Sequence, residues 1–180
     1  MTSLRGIEPV SLNIIVPVYN EGIDLLPWLQ ELVGYLNPAD RLVIVDASDC
    51  PDYSHIIKKS LTCLIKEGAA TSDQLHCITS AKGRALQMNA GARFLLSRSS
   101  SSHQDSLLWF LHSDSGLSTA HLSYLRLLKA HTLWGRFNVR LTPNIFPFGI
   151  ISKFMNTRSY LTQVMTGDQG IFIRSDTFLQ

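Results

Sequence analysis

Four short apolar runs dominate the first two-thirds of the chain: Leu-Asn-Ile-Ile-Val at 12–16, Leu-Val-Ile-Val at 42–45, Leu-His-Cys-Ile at 75–78 and Leu-Leu-Trp-Phe-Leu at 107–111. Runs of this length, bounded by polar turn residues, read as strands buried on both faces, which is the situation of strands in a parallel sheet. Parallel neighbours need a crossover between them, and the intervening segments carry apolar residues at helical spacing, such as Leu25, Leu29, Leu32 and Leu36. Strand and helix therefore have to alternate. The fold class that follows is α/β, a mostly parallel central sheet with helices on both faces.

Pattern and turn chemistry predict strands at 12–16, 41–46, 75–79, 107–111, 134–141 and 170–174, with helices at 22–36, 53–66, 82–96, 118–131 and 150–163. Asn37-Pro38 stops the first helix, and Ser118 is placed to cap the fourth. The Ser-rich stretch 97–105 reads as a solvated connector without chemistry, and no internal repeat is present. Ser175 could cap a further helix from Asp176, yet the sequence given stops at Gln180, within its first turns. The expectation is a single domain, core about 12–178, truncated at the C-terminus.

With 180 residues the chain can bury a substantial core without staples. Cys50, Cys63 and Cys77 are odd in number and lack Cys-x-x-Cys spacing, which argues against a disulfide framework or structural zinc and fits a reducing cytoplasm. A formal charge of +2, from scattered Lys and Arg, gives no nucleic-acid surface. The first residues, with Arg5, Glu8 and Pro9, lack the apolar region of a signal peptide. The segment around Phe146 to Phe154, with Lys153 and two prolines nearby, is where a peripheral contact with the inner face of a membrane would fall.

Chemistry-bearing residues collect just after the strands, at the sheet edge where α/β folds bind ligands. After the first strand comes Pro17-Val18-Tyr19-Asn20-Glu21, which is neither a Gly-x-Gly-x-x-Gly turn nor a P-loop. Tyr19 offers a ring for base stacking, and Asn20 and Glu21 offer polar groups; Asn20 serves equally well as a helix N-cap. Asp46 ends the second strand and Asp49 follows it, placed either to accept from a base or ribose or to form an Asx-type turn. Lys82, Gly83 and Arg84 open the third helix, where cations oppose the macrodipole unless an anion such as a diphosphate binds there. Asn89, on the stripe of Ala85, Ala92 and Leu96, is expected to interrupt a buried face. His112 and Asp114 end the fourth strand; if that strand runs on to Asp114, period-two geometry puts both on one side, able to share Mn2+ or Mg2+ with substrate phosphates. A Ser-His-Asp triad is rejected, because adjacent strand residues cannot converge in that way. Thr166 to Gly170 contains Asp168 and Gln169, suited to sugar hydroxyls or to a turn.

Taken in order, Ile-Val-Pro-Val-Tyr-Asn-Glu, Val45-Asp46, Gly83-Arg84-Ala85-x-Gln87-Met88-Asn89-x-Gly91-Ala92, Leu111-His112-Ser113-Asp114-Ser115 and Gly167-Asp168-Gln169 resemble the motifs of a family 2 glycosyltransferase of GT-A fold. The likeness is greatest to the small bacterial subgroup whose metal motif reads Leu-His-Ala-Asp-Thr. The resemblance implies a nucleotide-diphosphate sugar donor, UDP- or GDP-type, an unidentified lipid or saccharide acceptor, and a divalent cation. It further implies that Pro17, Tyr19, Glu21 and Asp46 frame the base and ribose, that Gly83, Arg84 and Asn89 face ribose and diphosphate, that Asp168 and Gln169 lie at the sugar, and that Asp114 holds the metal. His112 stands where the family has the first acid of Asp-x-Asp, and Asp46-Ala47-Ser48-Asp49 is shorter than the family's usual acidic loop. An inverting member needs a general base, which the resemblance places beyond Gln180, with Asp168 as a substitute. Two other readings stand beside this one: a non-catalytic nucleotide-sugar binding remnant, and a nucleotidyltransferase, whose Gly-rich, Lys-bearing first loop is missing here.

Overall fold

A computed structural model describes residues 10–22, 25–98, 106–129, 131–143, 145–165 and 169–179. In chain order the elements are β1 (Ser11–Val18), α1 (Leu25–Gly34), β2 (Arg41–Asp46), α2 (Pro51–Lys66), β3 (Leu75–Thr79), α3 (Arg84–Arg98), β4 (Ser106–Phe110), α4 (Thr119–Arg126), β5 (Trp134–Gly135), α5 (Phe148–Thr162), β6 (Phe172–Arg174) and α6 (Ser175–Phe178). The six strands form one sheet in the order β3-β2-β1-β4-β6-β5. β1 pairs in parallel with β2 and β4, and β2 with β3, whereas β6 runs antiparallel to both β4 and β5. The expected α/β architecture with a mostly parallel sheet is what forms.

Alternation along the strands divides the core in two. Leu12, Ile14 and Val16 of β1 point with Leu42, Ile44, Leu107 and Trp109 toward α1, α2 and α4, through Leu29, Leu32, Ile57, Leu61, Leu122 and Leu125. Ile15, Val43, Val45, Leu108 and Phe110 point the other way, toward Ala92, Leu95 and Leu96 of α3. α3 lies so close that a Cβ on Gly91 would stand 2.5 Å from Cγ2 of Ile15 and 2.8 Å from Cγ2 of Val45. At the opposite end from the strand carboxyl termini, the buried carboxylate of Asp40 accepts from Leu12 N (2.9 Å), Asn37 N (2.8 Å) and the Arg126 guanidinium, tying α4 to the start of β1.

Several sequence expectations change. α3 begins at Arg84, because Gly83 adopts φ +137°, a conformation that suits glycine; Lys82 consequently lies outside the helix. The buried polar side chain of α3 is Gln87, and Asn89 is exposed, because Gly91 sets which stripe meets the sheet. Asn20 has φ 54° and sits before α1, which is described from Leu25, so it is not that helix's N-cap. β4 ends at Phe110: Leu111 N still bonds to Ile15 O (3.0 Å), but Ser115 N then closes a turn onto His112 O (3.0 Å), so His112 and Asp114 lie on a turn. The strand expected at 134–141 is two residues long, because the Asn156 side chain takes both the N–H and the C=O of Val139 in place of a neighbouring strand. Ser175 opens α6 without capping it, and its hydroxyl pairs with that of Ser106 at 2.7 Å. Of the Ser-rich connector, residues 99–105 lie outside the described set.

Candidate functional site

The strand order reverses between β1 and β4, with connections leaving to opposite sides, and such a switch point opens a crevice at the strand carboxyl ends. A narrow crevice is found there, walled by Pro17 from β1, Phe110, Leu111 and His112 from the end of β4, and Arg84 and Met88 from the first turns of α3. Gln87 fixes this geometry from below. Its amide nitrogen donates to Val18 O (2.7 Å) and Val45 O (2.8 Å), binding the ends of β1 and β2 to the start of α3.

Beside the crevice, the residues after β1, β2 and β3 interlock. Asn20 N donates to Ser48 Oγ (2.9 Å), and Asp49 N donates to Asn20 Oδ1 (3.1 Å). The Tyr19 hydroxyl donates to the Asp49 carboxylate and accepts from Lys82 Nζ, which lies 3.8 Å from the centroid of the Tyr19 ring. Hydrogen bonding to Tyr19, reinforced by the charge of Asp49, raises the pKa of Lys82 and keeps it a cation. Asp46 is 1% exposed, with one oxygen accepting from Ser48 N (2.9 Å) and the other from the Ser54 hydroxyl. The Asx-turn reading of this segment is thus realised, and Asp49 is the carboxylate that the β2 end presents to solvent. Behind it, burial and then the charge of Asp46 push the Cys77 thiol up to about 11.

On the other side of the crevice, the turn after β4 brings the imidazole Nδ1 of His112 against the carboxylate of Asp114. His112 is half-buried and Asp114 exposed, so the pair opens outward. Between them Ser113 is buried and donates to Glu21 Oε1 (2.8 Å), which joins the β1 and β4 turns across the switch point. Trp28 of α1 supports the same turn by donating to Ser115 O (2.8 Å).

Pro17, Tyr19, Glu21, Asp46, Gly83, Arg84, His112 and Asp114 are therefore gathered at one edge. Asn89 stands one helical turn further on, in the wall of a separate apolar cavity of about 490 Å³ that shares Met88 and Phe110 with the crevice and is otherwise lined by Trp134, Met165, Ile171 and Phe178 among others. Gln169 is buried and accepts from the Ser159 hydroxyl (3.0 Å), so its described contact is with α5. Asp168 lies outside the described residues. Sequence reasoning placed Gln87 and Ser113 in motifs but assigned them no role of their own. The signal for Gln87 was its place four and eight residues before Gly91 and Leu95, on the stripe that meets the sheet; for Ser113 no pattern signalled the bond to Glu21.

No protein-family model matches the chain, and no curated protein matches it in sequence. Among solved structures it is similar to the mannosyltransferase PcManGT from Pyrobaculum calidifontis, in complex with GDP-Man and Mn2+, at a TM-score of 0.60 and 15% identity. That likeness covers 93% of this chain and 45% of the other, so the chain spans less than half the length of its structural neighbour. What the comparison establishes is the architecture: the chain has a glycosyltransferase-like fold.

Proposed function

We propose that the chain forms the donor site of a family 2 glycosyltransferase, which moves a sugar from a nucleoside diphosphate of UDP or GDP type to an acceptor hydroxyl. The observation that carries this reading is the crevice at the switch point, bounded by Pro17, Arg84 and His112, with the Tyr19–Asp49–Lys82 cluster on one side and Asp114 on the other. The bound state of the neighbouring mannosyltransferase, with GDP-Man and Mn2+, supports it.

In this reading the base stacks on Tyr19, displacing Lys82 from the ring toward the diphosphate. Asp46 holds the turn from beneath, and Asp49 and Glu21 offer acceptor oxygens to base and ribose. Arg84 and the amide groups at the start of α3 meet the diphosphate, while Asn89 stands further along the same helix. Among the described residues no group of three or more His, Cys, Asp or Glu converges on a point. Asp114 with His112 nevertheless fits a divalent cation whose other ligands are phosphate oxygens and water, the usual manner of holding Mg2+, and the imidazole suits Mn2+. When bound, such a cation neutralises the charge that develops on the departing nucleoside diphosphate. Inversion requires a base that takes the acceptor proton as the hydroxyl attacks the anomeric carbon, and Asp168 is the candidate within this sequence.

The test is a melting experiment with Mn2+ and GDP or UDP. At about 100 times Kd the melting temperature should rise by roughly 5–10 °C. Asp114→Ala should abolish that rise while leaving the melting temperature of the free protein unchanged. No rise with any common nucleoside diphosphate would overturn the proposal; binding by the full gene product without transfer would assign it to a non-catalytic binding protein.

A further inference from the structure

α5 is turned inside out relative to an ordinary surface helix. Its inward side is polar: Ser152 Oγ accepts from Leu141 N (3.0 Å), Asn156 clasps both backbone groups of Val139, and Ser159 donates to Gln169. At 100° per residue, Ile150, Phe154 and Leu161 fall on the opposite side and are 62%, 71% and 73% exposed. Phe146, just before the helix, is 84% exposed as well, and at the same 100° per residue Lys153 and Arg158 flank the ridge, one on each side. A hydrophobic ridge of this size on a soluble surface calls for a partner.

Charge indicates which partner. From Ser115 to Gly167 the sequence has no Asp or Glu, although the whole chain has 14 acids; Arg126 there is paired with the buried carboxylate of Asp40, which leaves Lys129, Arg136, Arg140, Lys153 and Arg158 as cations without an acid in their own segment. A second copy docking face to face would bring like charges together, whereas an anionic lipid surface complements them. α5 has 15 residues and is about 22 Å long, less than the roughly 30 Å of a bilayer's hydrocarbon core. It is suited to lying in the interface, apolar side down with its cations at the level of the headgroups.

We propose that the Ile150–Phe154–Leu161 ridge of α5 and the cations beside it dock the protein on the surface of an anionic membrane. This inference stands apart from the sugar-transfer reading, since it draws on the outer side of a helix that takes no part in the crevice. Its test is co-sedimentation with phosphatidylcholine vesicles, with and without phosphatidylglycerol, at low and high salt. Wild-type protein should partition onto the vesicles containing phosphatidylglycerol and leave them as salt rises. Ile150→Ser with Phe154→Ser should weaken partitioning by at least about tenfold, and Lys153→Gln or Arg158→Gln by about fivefold each, with circular dichroism and melting temperature unchanged because these side chains are exposed. Failure of the wild type to sediment, or equal sedimentation of wild type and the double variant, overturns the proposal. So does light scattering that shows a dimer dissociated by Phe154→Ser, which would make the ridge a contact between copies.

Discussion

Gln87 shows how much a single side chain can organise. Its one amide nitrogen serves two carbonyls from different strands; Tyr19 directly follows the first of these strands, and Asp46 is the last residue of the second. Replacing it with alanine removes both bonds inside the core and should cost about 1–3 kcal/mol, lowering the melting temperature by roughly 2–4 °C for each kcal/mol. The same variant should weaken nucleotide binding, because the ends of β1 and β2 are no longer held to α3. A fall in stability with unchanged affinity would show that the strand ends keep their places without it. Asp46 carries a related lesson. Its position at a strand's end left a ligand contact and an Asx-type turn both open, and its burial with both oxygens engaged shows a carboxylate that shapes the turn on which Asp49 is displayed.

Among the elements, α3 is the one most tightly fitted. Gly91 lets its backbone rest against the side chains of Ile15, Val43 and Val45, and all three are branched at Cβ and fully buried. Gly91→Ala should gain up to about 1 kcal/mol of helix propensity but lose about 1–3 kcal/mol to overpacking. The expected outcome is a lower urea midpoint with an unchanged m-value; a raised midpoint would mean that α3 can lift from the sheet at little cost. The parallel strands and their helices were legible in the sequence because burial on both faces leaves uninterrupted runs such as Leu-Val-Ile-Val. The end of β4 was not, since whether 112–114 continues as strand depends on a turn closed by Ser115 N onto His112 O. The strand expected at 134–141 failed for a similar reason: Asn156, 17 residues beyond Val139, supplies the hydrogen bonds that a strand would otherwise have sought there. That the residues after β1, β2 and β4 meet at one edge was legible, because loops after parallel strands converge in any sheet of this order; contacts such as Glu21 with Ser113 rest on packing across the switch point.

At the level of the whole molecule, the two ends of the sheet differ in kind. The end holding Asp40 and Arg126 is closed by a buried ion pair with backbone donors around it, while the other end opens into the crevice. Asp40→Ala leaves the Arg126 cation without its partner and should cost about 3–5 kcal/mol, read as an earlier urea transition; Asp40→Ala with Arg126→Met should recover much of that loss. Recovery that fails would show that Asp40 acts mainly through the N–H groups of Leu12 and Asn37. The sheet is also lopsided across its width, since β6 and β5 contribute only three and two residues. A visiting strand would find scarcely any consecutive peptide groups to bond along the β5 margin. The part of the molecule richest in exposed aromatic and aliphatic side chains is thereby guarded against amyloid-like stacking, and whatever gathers there must do so by side chain, leaving each chain's sheet its own.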